Sequence, residues 1–264
     1  MTSPSLLQPN PRLRTFWGIV RLATAAALFA AIVMQIIATT EYALGAGQHL
    51  PTALANHLSY FTVLSTAAGA IVLAIGGVWL VSKGRTGTVE PRWMSVLFLC
   101  IGAAVVITGI VFNLLLRNDG VPDPDTLTWA SDIKHVVAPI VFALDLILHI
   151  GRAPFKWSDA ALALIYPVLW AVYTLVRGEL ITDPVTGNPW WYPYGFLDPH
   201  RVAGGYAGVA AYVVGIALAL ALLAAGSVWI SRRRGAGSPA TGTEHSAEVG
   251  AHLPGQDTRQ RATP

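Results

Sequence analysis

An all-α polytopic membrane bundle of six transmembrane helices, both termini cytoplasmic, is the fold the sequence predicts. Three observations predict it. Of the 264 residues, 54% are hydrophobic and only 12% charged, with a mean hydropathy of +0.54, whereas a soluble domain carries about 25% charged residues. Six apolar segments are each long enough to cross a hydrocarbon core of ~30 Å at ~1.5 Å per residue. The basic residues, finally, concentrate on one side of those segments, in alternate connections and the two terminal regions.

In chain order, residues 1–14 form a polar, proline-punctuated cytoplasmic tail, and residues 15–231 form the transmembrane domain. The first segment, 15–40, follows Arg12 and Arg14 and so also fits a signal peptide. It is longer than a signal core of ~7–15 residues, which favours a spanning helix. The others lie at about 57–81, 93–116, 132–150, 158–177 and 204–230. Pro139 and Pro167 fall inside two of them, where a membrane bundle tolerates a local kink. Gly204 and Gly208 open the last segment with a spacing that permits close helix approach, or simply ordinary small-residue packing. Residues 232–264 hold too little apolar surface to fold alone and form a disordered cytoplasmic tail, with His245 and His252 solvated in it.

All the Lys and Arg residues except Arg117, Lys134, Arg177 and Arg201 fall in the N-terminal region, the 82–92 and 151–157 loops, or the C-terminal tail. That bias places both termini in the cytoplasm. It also explains the charge of +3 and the pI near 9.2 without a nucleic-acid partner, because the basic residues flank apolar segments. Cys100 stands alone, which excludes an intrachain disulfide and cysteine zinc sites. His49, His57, His135 and His200 lack the short spacings that pair histidines on a metal, so no metal and no cofactor is expected. Both a monomer and a homo-oligomer stay open.

With this topology, polar side chains converge on the outer side. The first segment ends there with Gln35, Thr39, Thr40 and Glu41. The second begins there with Asn56, His57, Ser59, Tyr60, Thr62, Ser65 and Thr66, of which Ser59, Thr62 and Thr66 share a face within about 60° at 100° per residue. Asn113 and Arg117 end the third segment one turn apart, and Asp132 and His135 begin the fourth. Tyr173, Arg177 and Glu179 end the fifth. The chemistry such a set supports is nucleophilic. A Thr hydroxyl needs a base, and histidine is the usual one. Asp132 could orient His135, and Asn113, Arg117 or Tyr60 could donate to an oxyanion. The run 186–200 adds Trp190, Trp191, Tyr192, Tyr194 and Phe196, either as an aromatic belt at headgroup level or as an apolar entry for an acyl chain.

Three runs carry a resemblance: Tyr60-Phe61-Thr62-Val63; Asp132-Ile133-Lys134-His135 with Pro139; and Trp191-Tyr192-Pro193-Tyr194-Gly195-Phe196-Leu197 before a last helix. Together they resemble the androgen-induced-gene family of membrane proteins. The runs Asn113–Arg117 and Tyr173–Gly178 are similar to its bacterial, mainly actinobacterial, relatives. The likeness spans about residues 50–230. Animal members are intramembrane threonine hydrolases that cleave esters of fatty acids with hydroxy fatty acids. The resemblance implies a bacterial plasma-membrane protein with Thr62 as nucleophile and His135 as its partner. The expected reading is therefore a lipid-ester hydrolase acting in the outer half of the bilayer on a membrane lipid or lipid-like substrate. Thr62, His135 and Asp132 are its catalytic residues, with Asn56, Ser59, Tyr60, Asn113, Arg117, Arg177, Trp191 and Tyr192 around the substrate. The rivals are a transporter or binding protein built on Asp145, Lys134, His135 and Arg177, and a structural protein whose polar groups only hold helices together.

Overall fold

The computed structural model describes residues 10–117 and 125–235. The tails expected at 1–14 and 232–264 lie mostly outside those residues, as do His245 and His252. What is described of them is helical. Among the described residues the chain is entirely helical, without strands.

Helix α1 (Pro11–Gly45) starts on Asn10, whose side chain accepts the Arg12 N–H at 3.0 Å, and it has Pro11 in its first turn. It is longer than the expected 15–40. Trp17, Arg21, Ala25, Leu28, Ala31, Gln35 and Thr39 recur every three or four residues and are buried. This stripe packs on α3 (Phe61–Val81). Gly18 and Gly77 face each other there, and a Cβ on either would come within about 3.1 Å of the other's carbonyl oxygen.

The second expected segment begins later than 57. Residues Leu50–His57 form a separate short helix, α2, with Pro51 in its first turn, and Leu58, Ser59 and Tyr60 turn the chain into α3. Ser59 therefore lies off the helix that carries Thr62 and Thr66. Helix α4 (Arg92–Val111) runs on into a widened π turn, Phe112–Leu116.

Residues 128–148 coil without a break as α5 (Thr128–Asp132), a second π turn (Ile133–Val137) and α6 (Ala138–Leu148). Pro139 accounts for that turn. It has no N–H, and its ring crowds the carbonyl of residue 135, so the ladder opens there. Asn113 Nδ2 fills the opening by donating to the freed His135 carbonyl at 3.0 Å. Gly109 lets the two helices meet, since a Cβ at 109 would lie 2.6 Å from Pro139. The two π turns thus touch each other. Pro167 acts similarly on the next helix, splitting it into α7 (Trp157–Leu162) and α8 (Ile165–Gly178) with a turn at Ala163–Leu164. Helix α9 (Tyr206–Gly235) closes the bundle, and the segment 179–205 straps the C-terminal end of α8 to the start of α9.

Among the described residues, five helical stretches are long and apolar enough to cross a membrane: Pro11–Gly45, Phe61–Val81, Arg92–Leu116, Trp157–Gly178 and Tyr206–Arg234. Residues 128–148 differ in carrying Asp132, Lys134 and Asp145. Phe98, Phe142, Leu28, Leu73 and Val105 centre the core, and Gly69 and Gly102 make room for the Phe142 ring.

Candidate functional site

A half-open apolar groove lies between α8 and α9 over the ends of α3 and α4. About 750 Å³ of empty space lies in and before it, the open solvent at its mouth included. Leu164, Pro167, Val168 and Ala171 form one wall and Val213, Ile216, Ala217 and Leu220 the other. Ile107 and Val111 form the floor, and Phe196 and Leu197 of the strap close one end. The polar atoms of the lining are few. Thr108 Oγ1 donates to the Ala104 carbonyl and Trp170 Nε1 to the Ser59 carbonyl. That leaves the hydroxyls of Thr62 and Tyr194.

Those two are joined. The Thr62 N–H donates to Tyr194 Oη at 3.2 Å, and Thr62 Oγ1 lies 3.2 Å from the same oxygen. Because Tyr194 Oη already accepts the amide, its own proton is available to Thr62 or to a ligand oxygen. Desolvation holds the Tyr194 phenol above its ordinary pKa, so it serves as a donor rather than a base. Thr66 and Ser65 are spent locally. Thr66 Oγ1 donates back to the Thr62 carbonyl at 2.5 Å, and Ser65 Oγ to the same carbonyl at 3.2 Å.

His135 sits beneath the Phe112 ring, stacked at 3.6 Å between centroids. Its Nδ1 lies 2.9 Å from the Ser131 carbonyl and 3.1 Å from Ser131 Oγ. A carbonyl only accepts, so Nδ1 carries the proton and Nε2 keeps a lone pair. The partner expected to orient the ring, Asp132, points elsewhere. It pairs with Arg117 at 3.2 Å, with both side chains about half exposed. Ser131, one residue earlier, takes that place. Among the described residues no hydrogen bond joins Thr62 to His135, and His135 is not in the groove wall.

The other expected binding residues divide. Both Asn113 amide hydrogens are engaged, on the Gly109 and His135 carbonyls, so Asn113 holds the π turn open rather than awaiting an oxyanion. Ser59 Oγ donates to the Ala55 carbonyl and accepts from Tyr173 Oη at 3.2 Å. Tyr60 meets Trp191 and Tyr194 edge-on at 5.9 and 5.4 Å. Arg177 donates to Asn56 Oδ1 at 2.7 Å and lies over Trp191. Tyr192, Tyr206 and His200 all converge on Glu179 Oε1, at 2.8, 2.9 and 3.1 Å. That carboxylate pins the strap. A further polar group forms where Thr39 donates to Asp125 and Gln35 binds the backbone of Asp125 and Leu127. His57 lies beside it, and burial pushes its pKa down to about 4.

Asp145 is not on an open path. Arg21 grips it with two bonds, Nε to Oδ2 at 2.7 Å and Nη2 to Oδ1 at 2.9 Å. Arg152 pairs with it at 2.9 Å while stacking on Phe98. Arg21 Nη1 also reaches Glu90 at 2.7 Å and the Gly76 carbonyl at 3.1 Å. All four charged side chains are buried. Arg14 is buried too, capping the Gly84 and Thr88 carbonyls. The positive-inside count placed Arg14 and Arg21 among membrane-flanking charges. The signal against that was Arg21's place several residues inside an apolar segment that also had to face a buried carboxylate.

The apolar helices and their buried polar groups define the class: an all-helical integral membrane protein. No family model matches the chain, and neither a curated protein nor a solved structure matches it.

Proposed function

We propose that the protein is a six-span plasma-membrane protein with cytoplasmic termini that binds an acyl-chain ester in its outer half and cleaves it with Thr62. One observation carries the reading: an open, apolar-lined groove ends on an isolated pair of hydroxyls, Thr62 and Tyr194. In the proposed step Thr62 Oγ1 attacks the ester carbonyl, and Tyr194 Oη donates to the oxygen as charge develops. The Thr62 proton passes to His135 Nε2, the one ring nitrogen left free by Ser131. Since Thr62 and His135 share no hydrogen bond, the transfer runs through a water or after a shift of the Phe112–His135 stack. The tetrahedral adduct then collapses with cleavage of the ester C–O bond, and the departing alkoxide takes the proton from His135. A water deprotonated by His135 hydrolyses the acyl-Thr62 ester to the free acid and Thr62. The resemblance to the androgen-induced-gene family supports the same two residues. Residues 128–148 serve as the sixth span, their charges facing protein partners as charges in a membrane must.

A second reading, binding or transport without covalent chemistry, is favoured by the missing Thr62–His135 contact. Labelling of the detergent-purified protein with a fluorophosphonate probe separates them. Hydrolysis predicts labelling of the wild type that is lost in Thr62→Ala and in His135→Ala. A folded, lipid-loaded wild type that takes no label sinks the hydrolase and leaves a binding protein.

A further inference from the structure

Beyond the groove, at the C-terminal end of α8, lie hydrogen-bond donors that lack an acceptor. Arg177 follows Trp170, a groove-lining residue, by seven positions on α8 and so lies on the same face about 10 Å further out. Its Nη2 donates to Asn56 Oδ1 at 2.7 Å, and its guanidinium carbon sits 5.3 Å from the centre of the Trp191 ring. These contacts fix the guanidinium in place without neutralising it. Among the described residues Arg177 makes no ion pair, and Nε and Nη1 have no hydrogen-bond acceptor. Glu179, two residues on, is taken up by Tyr192, Tyr206 and His200.

Asn56 adds the second observation. It is 5% exposed, and its amide orientation follows from Arg177, which can only donate and so faces the oxygen. That leaves Asn56 Nδ2 buried with no acceptor. A buried donor without a partner costs folding free energy that a ligand oxygen would recover. A fixed, unpaired guanidinium beside an unfilled amide donor is a set of donors matched to an anion. Trp191 and Tyr60 continue from this point to Tyr194, and so to the end of the groove.

Resting on the reading of the groove as a chain-binding site, we propose that Arg177 and Asn56 form an anion site. It selects single-chain amphiphiles bearing a carboxylate or phosphate on the outer side of the chain-binding groove. Charge-assisted bonds of this kind separate an anion from its neutral analogue by about tenfold or more.

The test measures binding of oleate, oleyl phosphate and oleyl alcohol to the purified full-length protein, by tryptophan fluorescence at constant ionic strength. Expected is at least about tenfold tighter binding of one or both anions than of the alcohol. Arg177→Gln, which keeps a donor for Asn56, should bring the anions down to the alcohol's affinity and leave the alcohol unchanged. Arg177→Lys should restore part of the preference. The better anion identifies the head group. Inorganic phosphate that displaces the anions but not the alcohol would show that the same site takes free anions. Equal binding of all three probes, or a preference that survives Arg177→Gln, overturns the anion site while leaving the groove reading intact. Failure of every probe to bind overturns both.

Discussion

The two polar regions of this bundle are built from similar side chains and solve opposite problems. In one, Arg21, Arg152, Asp145 and Glu90 form two positive and two negative charges locked together, with the carboxylate of Asp145 gripped from two sides. In the other, Thr62 and Tyr194 present an unused proton at the end of a groove, and Asn56, Arg177 and His135, which lie off its lining, keep unused donors and an unused lone pair. Mutual neutralisation of charge marks the first region as a fastener, even though the Arg152 donors have no hydrogen-bond partner. Uncommitted groups beside an open groove mark the second as a site. Burial does not separate them, since Thr62 and Asn56 are nearly as enclosed as Asp145.

The largest effect expected from this contrast is on stability. Asp145→Ala leaves two arginines buried without their shared carboxylate, and breaking a buried ion pair by removing one partner costs about 3–5 kcal/mol. Reversible denaturation in detergent should show that loss. Arg177→Ala at the end of α8 should change stability by no more than about 1 kcal/mol. Equal losses in the two variants would erase the distinction.

A smaller cost attaches to the joint between the π turns. Gly109→Ala drives a methyl into Pro139, and overpacking of this kind typically costs about 1–3 kcal/mol. If the turn at 133–137 exists to place His135, this variant should also lose fluorophosphonate labelling. Retained labelling in a destabilised Gly109→Ala would show that the turn serves packing alone.

Tyr194→Phe sharpens the comparison from the other side. It removes one hydroxyl at the groove and should leave the melting temperature within a few degrees of wild type while cutting labelling at Thr62 by ~10²-fold or more, the usual cost of losing one oxyanion donor. A fall in stability without a fall in labelling would move Tyr194 into the fastener class.

The smallest expected effect is on the strap. Hydrogen bonds from Tyr192 and Tyr206, then His200, favour the charged form of Glu179 and hold its pKa below the ordinary glutamate range. A depressed carboxyl contributes its stability fully above the unfolded value and loses it as the pH falls through the lower, folded value. Hydrogen exchange at the Trp191 N–H, which donates to the Gly178 carbonyl, should thus be constant from neutral pH to the ordinary glutamate range and quicken only below it, once intrinsic exchange is corrected for. Glu179→Gln should flatten that response.

Much of the site was legible in the sequence for a simple reason. Hydroxyl, imidazole and guanidinium groups are out of place in apolar helices, so Thr62, His135 and Arg177 announced themselves by context. Their partners did not. Asp132 and His135 share a helix face by spacing, but so do Ser131 and His135, and spacing alone does not choose between them. In the fold Ser131 meets His135, and Asp132 pairs with Arg117. Asn113 looked like a free donor, because nothing in its own segment shows that a proline on another helix has released a carbonyl for it.

The amino-acid sequence by itself determined the class: long apolar runs with few charges can only bury their backbone polar groups as helices in a bilayer. The positions of Pro139 and Pro167 likewise set where one of those helices widens and another breaks. Which charges meet was decided by tertiary structure alone. Arg21 and Asp145 are 124 residues apart, and only the close approach of helices at glycine contacts such as Gly18–Gly77 brings such groups within bonding distance. In a low-dielectric interior that last few ångströms separates a prohibitive lone charge from a stable pair.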